Sequence, residues 1–368
     1  MTQPLRIALL VDPLTCKSRG DQHAPGLARA LIGLGHGVRG FGAPPGVIAR
    51  SVEHADGFGL TGYKPDVLIA YDSLSPTAFQ GARIARASGA QLLLVEPGNT
   101  RIATPLHERL LQSIGERMWG RYVRSTAARV IALDPVARAQ ALEDGFEDER
   151  ITVLNTGVDL EKWRPDVGGS ALRTYGVSGR VLVCLCPLET SRGIEELIAA
   201  FASTIGQRDD WSLVLVGEGR GKRGLRTATE RLGVSSRVHW LENVAEEDLP
   251  SLLAASTIYV APAKDNSPSV RPLLHAMAAG LPVLASNTGR YSWAVSENKT
   301  GLLVEGTDKT SWEDAILRAT SAPMARERWG LAGRAWAEQN LNWTHIAKEI
   351  EGMIAAARQA VEEQAAAG

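Results

Sequence analysis

The chain has 368 residues, of which 40 are lysine or arginine and 41 are aspartate or glutamate. One hydrophobic core rarely serves more than about 300 residues, so this length predicts two domains. The balanced charge produces no field over the whole molecule that would attract DNA or RNA. We therefore expect no nucleic-acid partner.

The cysteines and the apolar runs indicate a cytoplasmic protein. Cys16, Cys184 and Cys186 are neither an even set for a disulfide framework nor spaced like zinc ligands, which fits a reducing compartment. The first apolar run, in MTQPLRIALLV, is too short for a signal peptide, and no run of about 18 apolar residues occurs that could cross a membrane. We expect a soluble protein with at most peripheral contact to the inner membrane face.

Along the first half, short apolar runs rich in Val, Ile and Leu alternate with longer segments of helical period. The predicted strands are RIALLV, PDVLIAY, QLLLVE, ARVIAL and RITVLN, and the predicted helices between them include GLARALIGLGHGV and PTAFQGARIARASG. The second half repeats the alternation from RVLVCLC to TGLLVE, and after Trp312 the chain is predicted to be helical to its end. This order predicts two doubly wound parallel sheets of the α/β class.

A linker is predicted at residues 161–180, because Pro, Gly and Ser collect there and the periodicity fades. Open parallel sheets bind ligands beyond the carboxyl ends of their strands. The expected ligand site therefore lies in a cleft where the two domains face each other.

Six segments in order along the chain carry a resemblance to one family. They are GDQHAPGLARALIGLGHGV, RITVLNTGVDLEKWRP, CPLETSRGIEELIAAF, VGEGRG, HAMAAGLPVLAS and TGLLVEGTD. Together they resemble the retaining glycosyltransferases of family four over nearly the whole chain. The resemblance implies the GT-B fold, with two facing Rossmann-like domains and C-terminal helices that cross back to the first domain. It also implies transfer of a sugar from a nucleotide-diphosphate sugar to a sugar or lipid-linked acceptor, with retention of the anomeric configuration.

The resemblance also implies domain limits and cofactor needs. The first domain, which would bind the acceptor, is expected to span residues 1–165 and to be completed by helices from about residue 340 to 368. The second domain, which would bind the donor, is expected to span residues 166–339. No cofactor and no metal ion are expected besides the nucleotide sugar itself.

The segment CPLETSRGIEELIAAF supplies candidate phosphate-binding groups. A Thr-Ser pair at 190–191 is the expected cap of a helix that starts near Gly193, and the exposed amides of such a helix attract an anion. Arg192 can donate to phosphate oxygens, and by resemblance it takes the position of the family's diphosphate-binding lysine. Gly217 and Gly219 are similar to the family's glycine turn beside the donor phosphates.

Residues 265–280 predict a second helix that begins beside the ligand. Ser269 is its expected cap, Arg271 lies in its first turn, and Gly280 ends it. Pro187 stands where the family has an arginine. We expect Arg271 to supply the cation that is missing there.

The family carries two glutamates eight residues apart in this region, and two alignments are open. One places Ser267 and His275 at the glutamate positions. The other, which we prefer, aligns Asp265, Asn266 and Pro268 with a family variant that begins ENxP. In either alignment His275 is a packed side chain or a ribose ligand with one donor and one acceptor. The donor-binding candidates of this segment are Asp265, Asn266, Ser269, Arg271 and His275.

Two stretches supply candidates on the acceptor side. Gly20, Asp21 and His23 follow the first strand, where glycine lets the backbone approach a ligand closely. After the strand QLLLV the family has a histidine, and Glu96 stands in that place here. No catalytic side chain is assigned from the sequence.

Residues 101–129 are basic, with six arginines against two glutamates. Arg117, Arg121 and Arg124 lie near one another on a predicted helix that also carries Met118. Such a face is suited to an anionic membrane surface, although it is more often typical of a cleft-lining or salt-bridged helix.

A second functional hypothesis follows from the departures from the family pattern. Pro187, Ser267, His275 and Trp293 all replace polar or charged residues that the family uses near its donor. A GT-B scaffold or partner subunit that binds a nucleotide or glycan without turnover would tolerate these changes.

Overall fold

The computed structural model describes residues 3–11, 23–42, 53–55, 59–98, 110, 113–168, 171–264 and 269–367. The chain divides into two compact units, Met1–Gly157 with Leu341–Gly368, and Val158–Asn340. Each unit is built on one parallel sheet, and the predicted α/β alternation is confirmed.

The sheet of the first unit has seven strands in the order β3-β2-β1-β4-β5-β6-β7, and each adjacent pair is parallel. The strands are β1 (Arg6–Leu10), β2 (Gly37–Phe41), β3 (Glu53–Ala55), β4 (Val67–Tyr71), β5 (Gln91–Glu96), β6 (Arg129–Ala132) and β7 (Ile151–Val153). The helices are α1 (His23–Gly33), α2 (Gly59–Tyr63), α3 (Pro76–Ser88), a π-helical turn (Glu116–Gly120), α4 (Arg121–Thr126), α5 (Pro135–Glu143), a 3-10 turn (Asp148–Arg150) and, from the end of the chain, α14 (Trp343–Ala367).

Side chains of β1 alternate between two hydrophobic cores, one on each face of this sheet. Ile7 and Leu9 pack with α1 and α14, whereas Ala8 and Leu10 pack with α3. Because both faces are covered, all five residues of β4 are buried, as in other parallel sheets with helices on both sides.

The last helix is fixed to the first unit by polar and apolar contacts. His36 accepts a hydrogen bond from the backbone N–H of Leu5 at Nδ1 (3.2 Å) and donates from Nε2 to Glu351 on α14 (2.9 Å). The indole of Trp343 lies against Gly26, where any Cβ would overlap it. The C-terminal helix therefore completes the first unit.

The sheet of the second unit has six parallel strands in the order β10-β9-β8-β11-β12-β13. The strands are β8 (Arg180–Leu185), β9 (Trp211–Val216), β10 (Val238–Leu241), β11 (Ile258–Ala261), β12 (Val283–Ser286) and β13 (Gly301–Val304). The helices are α6 (Ala171–Thr174), a 3-10 turn (Thr190–Arg192), α7 (Ile194–Thr204), α8 (Lys222–Arg231), α9 (Leu249–Ala255), α10 (Arg271–Ala278), α11 (Gly289–Ser292), α12 (Lys309–Ser321) and α13 (Pro323–Asn340).

The boundary between the units lies before Val158, eight residues earlier than the predicted end of the first domain at residue 165. Arg334 explains the difference, because its Nη1 donates to the carbonyl oxygens of Leu160 (3.3 Å), Trp163 (2.7 Å) and Ala278 (2.7 Å). These bonds hold the segment after Val158 on the second unit. The predicted linker at 161–180 therefore belongs to that unit.

Candidate active site

The loops after β8 and β9 meet at the carboxyl end of the second sheet. Leu188 donates its backbone N–H to the carbonyl oxygen of Glu218 at 2.8 Å. A Cβ on Gly217 would overlap the carbonyl oxygen of Cys186, and one on Gly219 would overlap that of Leu188. Gly217 also has φ +143°, a conformation that other residues rarely adopt. Both glycines predicted for the donor site are therefore needed to bring these two loops together.

Helix α7 begins directly after the first of these loops. Its N-cap is Gly193, with φ +78° and no side-chain capping bond, so the predicted cap at residues 190–191 is wrong. That pair instead opens a 3-10 turn that ends at Arg192. The turn shifts the helix start, which leaves the first-turn amides of α7 without a side-chain cap, as an anion site requires.

The positive charges of Arg192 and Arg290 both lower the pKa of the Tyr291 phenol. Burial, followed by the nearby thiols Cys186 and Cys184, raises the pKa of Tyr291, and the two guanidinium groups oppose that rise. Arg290 lies on the short helix α11 after β12 and is only 3% exposed. The charges of two cations from different elements, both located after strands of this sheet, therefore favour the ionised form of one buried phenol.

Sequence reasoning missed Arg290 and chose Arg271 as the additional cation. Arg271 is the first residue of α10, is half-buried, and acts on the pKa of His275. The sequence held no signal for Arg290, because its place near Arg192 depends on the order of strands in the sheet.

His275 is a packed side chain. Its imidazole stacks on the indole of Trp163, with ring centroids 3.9 Å apart and planes at 10°. Burial, then the charges of Arg271 and Lys162, lower the pKa of His275 to about 3. The ring is therefore neutral at physiological pH, and one of its faces is covered by Trp163.

Helix α10 begins at Arg271, two residues after the predicted cap Ser269. Val270, which directly precedes α10, is already in the right-handed helical conformation. Ser269 supports the turn, because its Oγ accepts from the backbone N–H of Arg271 at 3.3 Å. The candidates Asp265 and Asn266 lie outside the described residues.

On the first unit, Glu96 is the last residue of β5. One oxygen of its side chain accepts a backbone hydrogen bond. Its Oε1 accepts from the backbone N–H of Ser73 at 3.0 Å, and the side chain of Ser73 also hydrogen-bonds the carboxyl group. Burial, and after it the charge of Asp72, raise the pKa of Glu96 to about 8. Asp72 itself has φ +60°, an uncommon conformation for an aspartate. A largely protonated carboxyl group therefore lies at the carboxyl end of the first sheet.

His23 is buried in the first unit. Its Nδ1 lies 2.7 Å from the hydroxyl of Tyr71, and its ring meets those of Tyr71 and Trp343 edge to face. In this arrangement His23 is enclosed by aromatic rings, which is typical of a core residue. Gly20 and Asp21, predicted with it, lie outside the described residues.

The ranges that the structure describes contain no group of three or more His, Cys, Asp or Glu side chains that could hold a metal ion. None of their helices combines the length and apolar character needed to cross a bilayer.

Comparison with known proteins gives these features a context. Residues 178–336, nearly the whole second unit, match the family model described as glycosyl transferases group 1. The chain is also 27% identical over 307 residues to the GDP-mannose-dependent alpha-(1-6)-phosphatidylinositol monomannoside mannosyltransferase of Mycolicibacterium smegmatis, which covers 79% of this chain and 76% of that protein. Residues 178–336 therefore form a domain of the glycosyl transferases group 1 type.

Other proteins resemble this chain in sequence or in fold. The D-inositol 3-phosphate glycosyltransferase of Corynebacterium urealyticum is 30% identical over 240 residues, which are 61% of this chain and 55% of that one. A glycosyltransferase from Rickettsia africae superposes with a TM-score of 0.82 over 97% of this chain and 99% of its own, at 15% identity. Anabaena HepE in complex with UDP and glucose superposes with a TM-score of 0.77 over 96% and 100%, at 17% identity. The fold of the chain is therefore GT-B.

Proposed function

We propose that this chain is a retaining glycosyltransferase of family four that moves a hexose from a nucleotide-diphosphate sugar to a glycan or lipid-linked acceptor. The observation that carries the proposal is the position of Arg192 directly before the uncapped start of α7, in the segment that follows β8. Arg290, which follows β12, is the second cation at this end of the sheet, and the charges of both lower the pKa of Tyr291. Guanidinium groups and helix N-termini are groups that stabilise a diphosphate. The name of the Mycolicibacterium relative makes GDP-mannose the first donor to test.

In the proposed reaction, the bond between the anomeric carbon and the diphosphate oxygen breaks, and negative charge grows on the leaving diphosphate. Arg192 and Arg290 stabilise this charge, and their interaction with it is strongest in the transition state. The acceptor hydroxyl attacks from the side that the diphosphate leaves, which retains the configuration, and its proton passes to the leaving phosphate oxygen. Because arginine supplies the positive charge, we propose that transfer needs no metal ion.

On the acceptor side, we propose that Glu96 binds a hydroxyl of the acceptor. Glu96 lies at the carboxyl end of β5, the end of a parallel sheet at which ligands bind. A protonated carboxyl group donates a hydrogen bond that a carboxylate cannot donate. The hydroxyl oxygen of the acceptor would accept this hydrogen bond through a lone pair.

We also propose that the first unit docks on an anionic membrane at the cytoplasmic side, where a lipid-linked acceptor would lie. Leu110, Ile114 and Met118 follow one another at four-residue intervals and are 58%, 48% and 70% exposed. Arg117 and Arg121 are exposed beside them and form no ion pair with any described residue. Apolar side chains flanked by arginines match the apolar interior and anionic headgroups of a membrane surface.

The proposed docking face is smaller than the basic face predicted from the sequence. Arg124 does not join it, because its guanidinium pairs with Glu116. Trp119 turns inward, stacks on Phe79 with centroids 5.5 Å apart, and donates its Nε1 to the carbonyl oxygen of Leu74. Only the side of the helix that carries Arg117 and Arg121 is available for docking.

A thermal-shift panel of GDP-, UDP-, ADP- and dTDP-linked sugars tests the donor site, because a ligand that binds only the folded chain raises its melting temperature. We expect one nucleotide to stabilise the wild type and to lose its effect in Arg192→Ala. Arg328→Ala is the control, since Arg328 lies exposed on α13. No shift with any nucleotide would overturn the donor site. Binding without transfer to any acceptor would favour the non-catalytic scaffold.

A further inference from the structure

Cys184 and Cys186 form a close pair of thiols at the end of β8. Cys184 is the fifth residue of the strand, Cys186 follows its end, and their Sγ atoms lie 3.4 Å apart. Residues two apart in a strand point to the same face, which brings the two sulfur atoms together. Two strand residues span about 6.6 Å between Cα atoms, near the upper end of the disulfide range of about 4.4–6.8 Å.

The two thiols differ in environment. Cys184 is 1% exposed, whereas Cys186 is only partly buried and can be reached by a small oxidant. The hydrogen bond with Cys186, and then burial, raise the pKa of the Cys184 thiol. Cys186 is therefore the sulfur that a peroxide meets first, with a protonated thiol beside it.

Formation of a disulfide between Cys184 and Cys186 would disturb the loops of the donor site. The backbone N–H of Cys186 donates to the carbonyl oxygen of Val216 at 3.1 Å, and its own carbonyl oxygen lies where a Cβ of Gly217 would be. Such close packing leaves little room for movement. Contraction between residues 184 and 186 would therefore displace the start of the loop that carries Arg192.

We propose that Cys184 and Cys186 are an oxidisable pair whose closure to an intrachain disulfide weakens donor binding by the second unit. The thiol of Cys186 reacts with hydrogen peroxide to give a sulfenic acid and one water. The sulfur of Cys184 then attacks the sulfur of Cys186, a second water leaves, and the S–S bond forms. The two thiols lose two electrons in total, and peroxide accepts them. The effect on donor affinity rests on the proposed function, whereas formation of the disulfide does not.

The first test counts thiols in the full-length protein after treatment with hydrogen peroxide and removal of the excess. We expect the count in denaturant to fall from three to one, with a peptide that contains both residues lighter by two hydrogen atoms. Cys16→Ser is the matched control and should still lose two thiols. Cys184→Ser and Cys186→Ser should form no intrachain disulfide within this peptide.

The second test measures donor affinity by titration with the nucleotide sugar that stabilises the reduced protein. Oxidation should weaken binding by about tenfold, and dithiothreitol should restore it. Cys186→Ser should bind equally before and after peroxide. Three remaining thiols, or a Cys186 sulfinic acid with Cys184 still reduced, would overturn the disulfide, and unchanged affinity of the oxidised protein would overturn its effect. If no nucleotide binds the reduced protein, the proposed donor site fails while the thiol count still decides the disulfide.

Discussion

The imidazole of His275 lies face to face with the indole of Trp163, at 3.9 Å between centroids. This stack joins the segment that opens the second unit to helix α10, and Arg334 reinforces the same junction with hydrogen bonds to Trp163 and Ala278. The candidate ribose ligand therefore also packs against the segment that opens the second unit. The junction defines where the second unit begins.

Replacing Trp163 by alanine should destabilise the second unit. Trp163 is buried, and removal of a buried tryptophan costs about 3–5 kcal/mol of unfolding free energy because a cavity remains. Denaturant unfolding of Trp163→Ala measures the loss. Trp163→Phe is the matched control and should recover most of it, since a phenyl ring can still stack on His275. Equal stability of the alanine variant and the wild type would show that the stack contributes nothing.

The stability of the protein should fall as the pH is lowered below about 6.5, the ordinary pKa of histidine. The folded-state pKa of His275 is about 3. Between this value and pH 6.5, the unfolded chain therefore binds a proton that the folded chain does not bind. Between pH 6.5 and 5 this linkage costs about 2 kcal/mol. His275→Phe should remove that part of the pH dependence in denaturant unfolding. A variant with the same pH slope as the wild type would contradict the burial of a neutral imidazole.

Glu96 should give the transfer reaction an alkaline limit. The carboxyl group is protonated below its pKa of about 8 and loses its donated hydrogen bond above it. We expect kcat/KM to decline above pH 8 in the wild type. Its stability should also decline between the unfolded pKa of 4.5 and pH 8, because the unfolded chain ionises first.

The variant Glu96→Gln separates these effects, because an amide keeps a donor at every pH. Its kcat/KM should be independent of pH around 8, and its unfolding free energy should exceed that of the wild type at pH 9. Glu143→Gln is the control, since Glu143 lies exposed at the end of α5. An unchanged alkaline limit in Glu96→Gln would assign that limit to another group.

Arg290 should matter for donor binding as much as Arg192. Arg290→Lys keeps the charge but loses the planar pair of donors, so we expect weaker binding by about tenfold, with a larger loss in Arg290→Gln. Isothermal titration with the nucleotide sugar identified by the thermal-shift panel measures both. The melting temperature without ligand must be compared as well, because Arg290 is buried. Wild-type affinity in a folded Arg290→Gln would exclude it from the donor site.

Flotation with vesicles tests the membrane face. Vesicles with anionic headgroups should carry the wild type upward, and Arg117→Gln with Arg121→Gln should abolish flotation at low salt. Met118→Ser should weaken it because an apolar contact is lost. Leu331→Ser is the matched control, since Leu331 is 67% exposed but lies on the second unit. Flotation of all variants, or of none including the wild type, would reject this face.

The strands and helices of both units could be read from the sequence, because parallel sheets covered by helices require apolar runs that alternate with helical periods. The glycine positions at 217 and 219 were also visible, because the backbone approach that they allow excludes every other residue. These features depend on local sequence and on the resemblance to one family.

The tertiary structure alone decided which side chains meet. Arg192 and Arg290 are nearly one hundred residues apart, and only the order of strands in the sheet brings β8 and β12 close enough for both to act on Tyr291. The stack of His275 on Trp163 likewise joins distant segments of the second unit and covers one face of a candidate ligand. Sequence periodicity specifies which residues are buried, but it does not specify their partners. Partners are set by packing between elements, which has no local signature in the chain.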